Sequence, residues 1–153
     1  MSLAALLGLF AARPARAAEP IERTPYAIRS WLAVAPELRL DADARTDLIA
    51  SWQRLVRNHV GAPWNLDIRE ADGPLAIRPP ADLTSGDLKP REAGLDALWV
   101  VRVDAEQDGS WTATGRAYDP HTATLGPLCR QVAPHPADLP RTLLRLSLLL
   151  FVP

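Results

Sequence analysis

Between Leu95 and Gly126 the chain alternates apolar runs with turn residues. Leu98, Trp99, Val100 and Val101 form an unbroken apolar run that leads into Val103, and an Asp-Gly turn follows at Asp108 and Gly109. Next comes a stretch in which every other residue is small or aromatic, and Asp119 and Pro120 mark another turn. Apolar runs punctuated in this way are the pattern of antiparallel strands joined by short loops. They predict a meander with strands over 96–104, 110–118 and 123–132, the last interrupted by Gly126 and Pro127. Proline cannot donate to a ladder, so the third strand is expected at a sheet edge or a bulge. The strand around Leu98 to Val103 is apolar on both faces, which predicts an interior strand covered by helices.

The preceding third of the chain carries both periodicities. Tyr26 to Ala35 alternates, with Tyr26, Ile28, Leu32 and Val34 on one face, Ser30 among them, and Ala27, Arg29, Trp31 and Ala33 on the other; Pro36 ends the strand. Leu48, Ile49, Trp52, Leu55, Val56 and His59 recur at spacings of three and four, the apolar stripe of a helix. Asp41 or Asp43 is its expected N-cap, and Gly61 followed by Pro63 its stop. Trp64, Leu66 and Ile68 then alternate with Asn65, Asp67 and Arg69 as a half-buried strand. Residues 71–80 read as a linker, opened by Gly73 and Pro74 and closed by Pro79 and Pro80. Thr84 or Ser85 can cap a short helix that Gly86 and Pro90 hold to two turns. From Asp138, with Pro140 in its first turn, a last helix begins. It has almost no polar face after Arg145 and is expected to need cover on all sides. The fold class is therefore α/β of the α+β kind, with a mixed sheet of about five strands in the order β-α-β-(short α)-β-β-β-α and helices packed on the sheet.

Composition adds little to this picture. The 153 residues, 48% hydrophobic and 23% charged, are those of one ordinary globular domain. Lys89 is the single lysine, and arginine richness with abundant Ala, Pro and Leu follows the codon usage of a GC-rich genome. With a formal charge of -1 and signs that alternate along the chain, no nucleic-acid surface is expected. The amino terminus does change the picture. Ser2 to Phe10 is an apolar run of the length of a signal-peptide core, and Ala15-Arg16-Ala17 follows as a small-x-small cleavage pattern. Cleavage after Ala17 or Ala18 would leave a polar leader to residue 24 and a single domain from residue 25 to 153, exported to the periplasm or beyond. The run is too short to span a bilayer, which takes about 20 residues, and no transmembrane helix is expected elsewhere. At the other end the chain stops at Pro153 directly after an apolar run, as the front piece of a longer protein would.

Candidate chemistry is sparse. The eight glycines are scattered singly without a phosphate loop, there is no GxSxG or HExxH, and no cofactor is expected. Cys129, the single cysteine, reads as a buried structural thiol. His59, His121 and His135 have no ligand-like partner spacing, so no metal site is expected, and His59 reads as a core-boundary residue. The densest polar group is Tyr118-Asp119-Pro120-His121-Thr122, where turn chemistry is the leading reading and an Asp119–His121 proton-sharing pair the alternative. Asp67, Glu70 and Asp72 read as a solvated strand end. Of five tryptophans, Trp31 and Trp111 share their strand faces with arginine or small residues, which makes them candidates for an aromatic interaction surface.

The strand LDALWVVRVDA, the glycine turn after it and the corner RAYDPHTATLG, with a first strand opening at Tyr26, resemble the small periplasmic α/β domain at the N-terminus of TolB and of CsgG-like envelope lipoproteins. The resemblance covers residues 25–147, and the propeller repeats that follow in TolB have no counterpart. It implies a non-catalytic interaction module whose partner is another envelope protein, and it carries over no site residue. The competing expectations are a small hydrolase or metal-dependent enzyme using Asp119 and His121, and a fragment with no role of its own.

Overall fold

A computed structural model describes residues 26–60 and 64–151. The predicted signal peptide and leader, and the glycine expected to stop the first helix, lie outside the described residues.

Strand β1 (Tyr26–Val34) is followed by helix α1 (Ala42–Val60) and strand β2 (Trp64–Glu70), which pairs parallel with β1. Asp41 is the cap of α1: its Oδ1 accepts the Ala44 N–H at 2.8 Å. Two one-turn helices, α2 (Pro74–Ile77) and α3 (Ser85–Leu88), lead to β3 (Ala97–Ala105), which lies parallel to β1 on its other side. An antiparallel hairpin then gives β4 (Trp111–Asp119). Its turn places Gly109 at φ 85°, a value that favours glycine, and Asp108 Oδ1 accepts both the Ser110 N–H and the Ser110 hydroxyl. The border beyond β4 is built by two pieces, β5 (Thr124–Leu125) and β6 (Cys129–Ala133), both antiparallel to β4. Helix α4 (Leu139–Phe151) closes the chain. The sheet is thus mixed and six-stranded, because the interruption expected at Gly126 and Pro127 divides the third meander strand in two.

Burial follows the alternation of each strand. Ile28, Leu32, Trp99, Val101, Val103 and Ala113 point to one face, where Trp52 and Val56 of α1 and Leu143 and Leu146 of α4 cover them. The buried line on α1 runs Leu48, Trp52, Val56, in steps of four, which rotates the stripe away from His59. His59 is accordingly exposed rather than at the core boundary. On α4 the buried face includes two polar residues, Thr142 and Ser147, whose hydroxyls donate back to Asp138 O and Leu143 O. The expectation that this helix needs cover on all sides is corrected: Arg141, Arg145 and Leu149 form an outward stripe.

The opposite face carries Leu98, Val100 and Tyr118, and they are buried by Leu75, Leu83 and Leu88. The segment read as a linker, together with the short helix after it, is therefore the cover of the second sheet face. Leu75 and Leu83 sit in turns started by Pro74 and Pro80 and Leu88 in the Thr84-capped helix α3, so the layer has no continuous helical period.

Candidate functional site

An open groove of about 450 Å³ lies where β1 and β3 begin, β4 ends and α4 finishes. The hairpin connection that brings Tyr118 back beside Asp96, and the register that sets Leu98 opposite Tyr118, fix its floor. Trp99, Ala117 and Leu150 give that floor an apolar character, and Pro127 and Cys129 form the side nearest β6. Tyr26 and Phe151 stand at the mouth with ring centroids 5.7 Å apart and planes at 83°, an edge-on pair. Both remain partly exposed, as does Leu149 beside them, at 39%, 37% and 45%.

The polar rim is held by local bonds. Asp96 Oδ2 accepts the Ala27 N–H at 2.7 Å, and the Tyr26 hydroxyl donates to the Asp96 backbone oxygen at 3.3 Å. Asp119 Oδ1 accepts the His121 N–H and Oδ2 accepts the Thr122 hydroxyl, each at 2.8 Å. These bonds, that from the Thr122 hydroxyl foremost, hold the Asp119 carboxyl below its ordinary range. Burial first, then the neighbouring Asp96 and Asp119 charges, push the Tyr26 phenol up. Burial likewise raises the Cys129 thiol, which keeps it protonated and a poor nucleophile at neutral pH.

The sequence candidates fall into place unequally. The corner residues form the expected turn, and the His121 imidazole Nε2 lies 3.6 Å from Asp96 Oδ1. A carboxylate whose two oxygens accept turn hydrogen bonds is poorly set as a base. Cys129 is half-buried on the edge strand, not a core thiol: its side chain meets only one covered face because β6 is the sheet border. Trp31 and Trp111 are both half-buried and lie on opposite faces, Trp31 with the Leu75 and Leu98 cluster and Trp111 with the helix-covered core. They form no common surface, and the Arg91 guanidinium lies over the Trp31 ring at 4.6 Å. Asp67, Glu70 and Asp72 each meet an arginine: Arg29 and Arg69, Arg45, and Arg91. No group of three potential metal ligands occurs among the described residues.

Sequence reasoning missed the groove. Its walls come from six elements spread along the chain, and the one local signal was the unusual apolar ending of α4 at Leu149 to Phe151. A smaller cavity of about 130 Å³ at the other end of the sheet is bordered by Arg45 and Glu70, which pair at 3.8 Å.

Fold and groove together define an α+β sheet domain with an open apolar site at the start of its parallel strands. No protein-family model and no curated protein matches the sequence. Among solved structures the chain is similar at 12% identity to a PelC dodecamer from Paraburkholderia phytofirmans, with a TM-score of 0.47 over 81% of this chain and 86% of that one. It is similar at 12% identity to the hypothetical protein CT253 from Chlamydia trachomatis, TM-score 0.42, over 69% and 70% of the two chains. The lipoprotein GNA1162 from Neisseria meningitidis gives 12% identity and a TM-score of 0.40 over 74% and 84%. No helix among the described residues is long and apolar enough to cross a membrane.

Proposed function

We propose that this chain is an exported, non-enzymatic interaction domain of the cell envelope, related to the TolB and CsgG-like periplasmic domains, that seats an apolar segment of another envelope protein in the groove. The observation that carries this reading is the groove itself, with an apolar floor beside the meander edge and partly exposed Tyr26, Leu149 and Phe151 at its mouth. The partner engages through side chains rather than by lengthening the ladder. Beside the groove the edge is a two-residue strand, Pro127 offers no N–H, and the Gly126 carbonyl is already taken by Arg116 Nε at 2.8 Å.

Cys129 is the only cysteine and lines the groove, so it can carry a photo-crosslinker without further engineering. Illumination in envelope extracts is expected to give one dominant adduct, reduced by Ala117→Trp, which fills the floor. An adduct pattern equal to that from a crosslinker on the exposed surface of α1, in Cys129→Ser with Arg57→Cys, would overturn the reading. Export is checked separately by fusing the first 30 or so residues, about the upper length of a secretory signal, to a reporter active only outside the cytoplasm. An inactive reporter counts against it.

A further inference from the structure

Among the described residues strand β2 borders the sheet opposite the groove's side, and the direction of its backbone groups follows residue by residue. The Ala71 N–H donates to Leu32 O of β1 at 2.7 Å. By the two-residue repeat of a strand, Asn65, Asp67 and Arg69 also turn their backbone groups toward β1, and Trp64, Leu66, Ile68 and Glu70 turn theirs outward. The Gln53 side-chain amide, reaching from α1, agrees with this parity: it donates to the Leu66 carbonyl at 2.7 Å. Leu66 and Ile68 send their side chains into the helix-covered core, which leaves Asp67 and Arg69 on the other face at the border.

The two borders of the sheet differ. The one at β5 and β6 is short and broken, with Pro127 inside it and Pro134 and Pro136 just after it, devices that discourage pairing. The one at β2 pairs with β1 in unbroken register over seven residues, from Trp64 to Glu70, and contains no proline.

We propose that two copies of the chain pair through β2, antiparallel about a twofold axis at Ile68, so that one sheet runs through the dimer. Any twofold axis through a residue of β2 matches outward-facing residues with one another, and the three nearest the middle of the strand differ in the side chains they oppose. An axis at Asp67 sets that carboxylate against its own copy, which is unfavourable. An axis at Leu66 sets Asn65 against Asp67 and carries Glu70 past the start of the strand. An axis at Ile68 sets Asp67 opposite Arg69 of the second copy, twice by symmetry. The Asp67 carboxylate suits this: its Oδ2 accepts Arg29 Nε at 3.0 Å and Arg69 Nε at 2.9 Å, and among the described residues its Oδ1 accepts no hydrogen bond. The Leu66 carbonyl, bonded to Gln53, keeps a second lone pair for the Glu70 N–H of the second copy.

Sedimentation equilibrium of the full chain over a concentration series tests the pairing. A dimer that weakens with added salt is expected. Arg69→Asp, which sets carboxylates against each other at both positions, is expected to weaken it about tenfold or more, and Asp67→Arg combined with Arg69→Asp to restore most of the loss. Glu70→Pro removes an outward N–H that no described residue of the same copy accepts, so it is expected to dissociate the dimer and leave the near-ultraviolet circular dichroism unchanged. A wild-type chain that stays monomeric up to about 1 mM overturns the proposal. So does a dimer indifferent to both Arg69→Asp and Glu70→Pro, and a dimer broken by Glu70→Pro alone overturns the register.

Discussion

The indole Nε1 of Trp52 donates to Ser147 Oγ at 2.9 Å, across the buried seam between α1 and α4. Both residues are fully buried, and the Ser147 hydroxyl in turn donates a hydrogen bond to Leu143 O at 2.8 Å. A polar residue in the middle of a leucine-rich helix is thus matched to a buried donor on the facing helix. Ser147→Ala leaves the indole N–H buried without an acceptor and is expected to cost about 1–3 kcal/mol. Urea unfolding followed by circular dichroism measures it. Trp52→Phe removes the donor but opens space, so the double variant should lose less than the sum of the two single losses.

Trp31 makes the opposite case. Its Nε1 is buried without a hydrogen-bond partner, and the ring is held by Arg91 above and the Leu75 cluster beside it. Trp31→Phe removes an unsatisfied donor and keeps an aromatic face for the guanidinium. Its expected cost in the same urea experiment is within about 1 kcal/mol of zero, well below that of Trp52→Phe. A loss as large as that of Trp52→Phe would show that the Trp31 indole is bonded in solution.

Stability should fall at both ends of the pH scale for separate reasons. Asp87, Asp108 and Asp119 have carboxyls held below their ordinary value, Asp87 chiefly by the Thr84 backbone N–H and hydroxyl of a capping box, Asp108 by Ser110 and Asp119 by Thr122. The unfolded chain binds those protons more readily, so this contribution is complete above the ordinary value of 3.8 and is lost as pH falls through the lowered folded values. Tyr118 is raised by donating to Glu92 at 2.7 Å, and Tyr26 by burial and the Asp96 and Asp119 charges. Here the folded chain holds the proton more tightly, so the contribution is complete below the ordinary value of 10.0 and is lost as pH rises through the raised folded values. Thermal unfolding across pH should show Asp87→Asn flattening only the acid limb and Tyr118→Phe only the alkaline one.

Much of the fold was legible because the elements that carry it have clean periods. The alternation from Tyr26 and from Trp64, the stripe Leu48, Trp52, Val56, and the glycine turn at Asp108 and Gly109 each name one element, and each lies within a residue or two of its expected place. The second sheet face was legible only as a requirement. Leu98 and Val100 demanded cover, but Leu75 and Leu83 supply it from two proline-started turns and Leu88 from the Thr84-capped helix α3, with no common period. The groove left no trace in the sequence beyond the apolar ending of α4, since Tyr26, Trp99, Cys129 and Phe151 meet only after β1, β3, β6 and α4 are in place. The pairing of His121 with Asp96 likewise depends on the long-range register of β1, β3 and β4, and no spacing within the corner encodes it.

The same register explains why Gly115 stands in the middle of β4. It lies opposite Val101 on one side and Cys129 on the other, beneath the last turns of α4. A Cβ added there would meet the Val100 carbonyl at 3.1 Å, Leu150 Cδ1 at 3.2 Å and Leu146 Cδ2 at 3.3 Å. The leucines can turn a little, but the carbonyl belongs to the central strand and cannot move without its ladder. Gly115→Ala is therefore expected to destabilise by about 1–3 kcal/mol despite the better strand propensity of alanine. Urea unfolding measures the loss. Combining it with Leu150→Ala, which empties the site of the 3.2 Å contact, should recover part of the overpacking and give less than additive destabilisation. Because Leu150 also lines the groove floor, the Gly115→Ala strain should reach Cys129 on the neighbouring strand. The rate at which a maleimide labels that thiol should then rise in Gly115→Ala as α4 lifts from the sheet, and return toward the wild-type rate when a ligand that fills the groove is added.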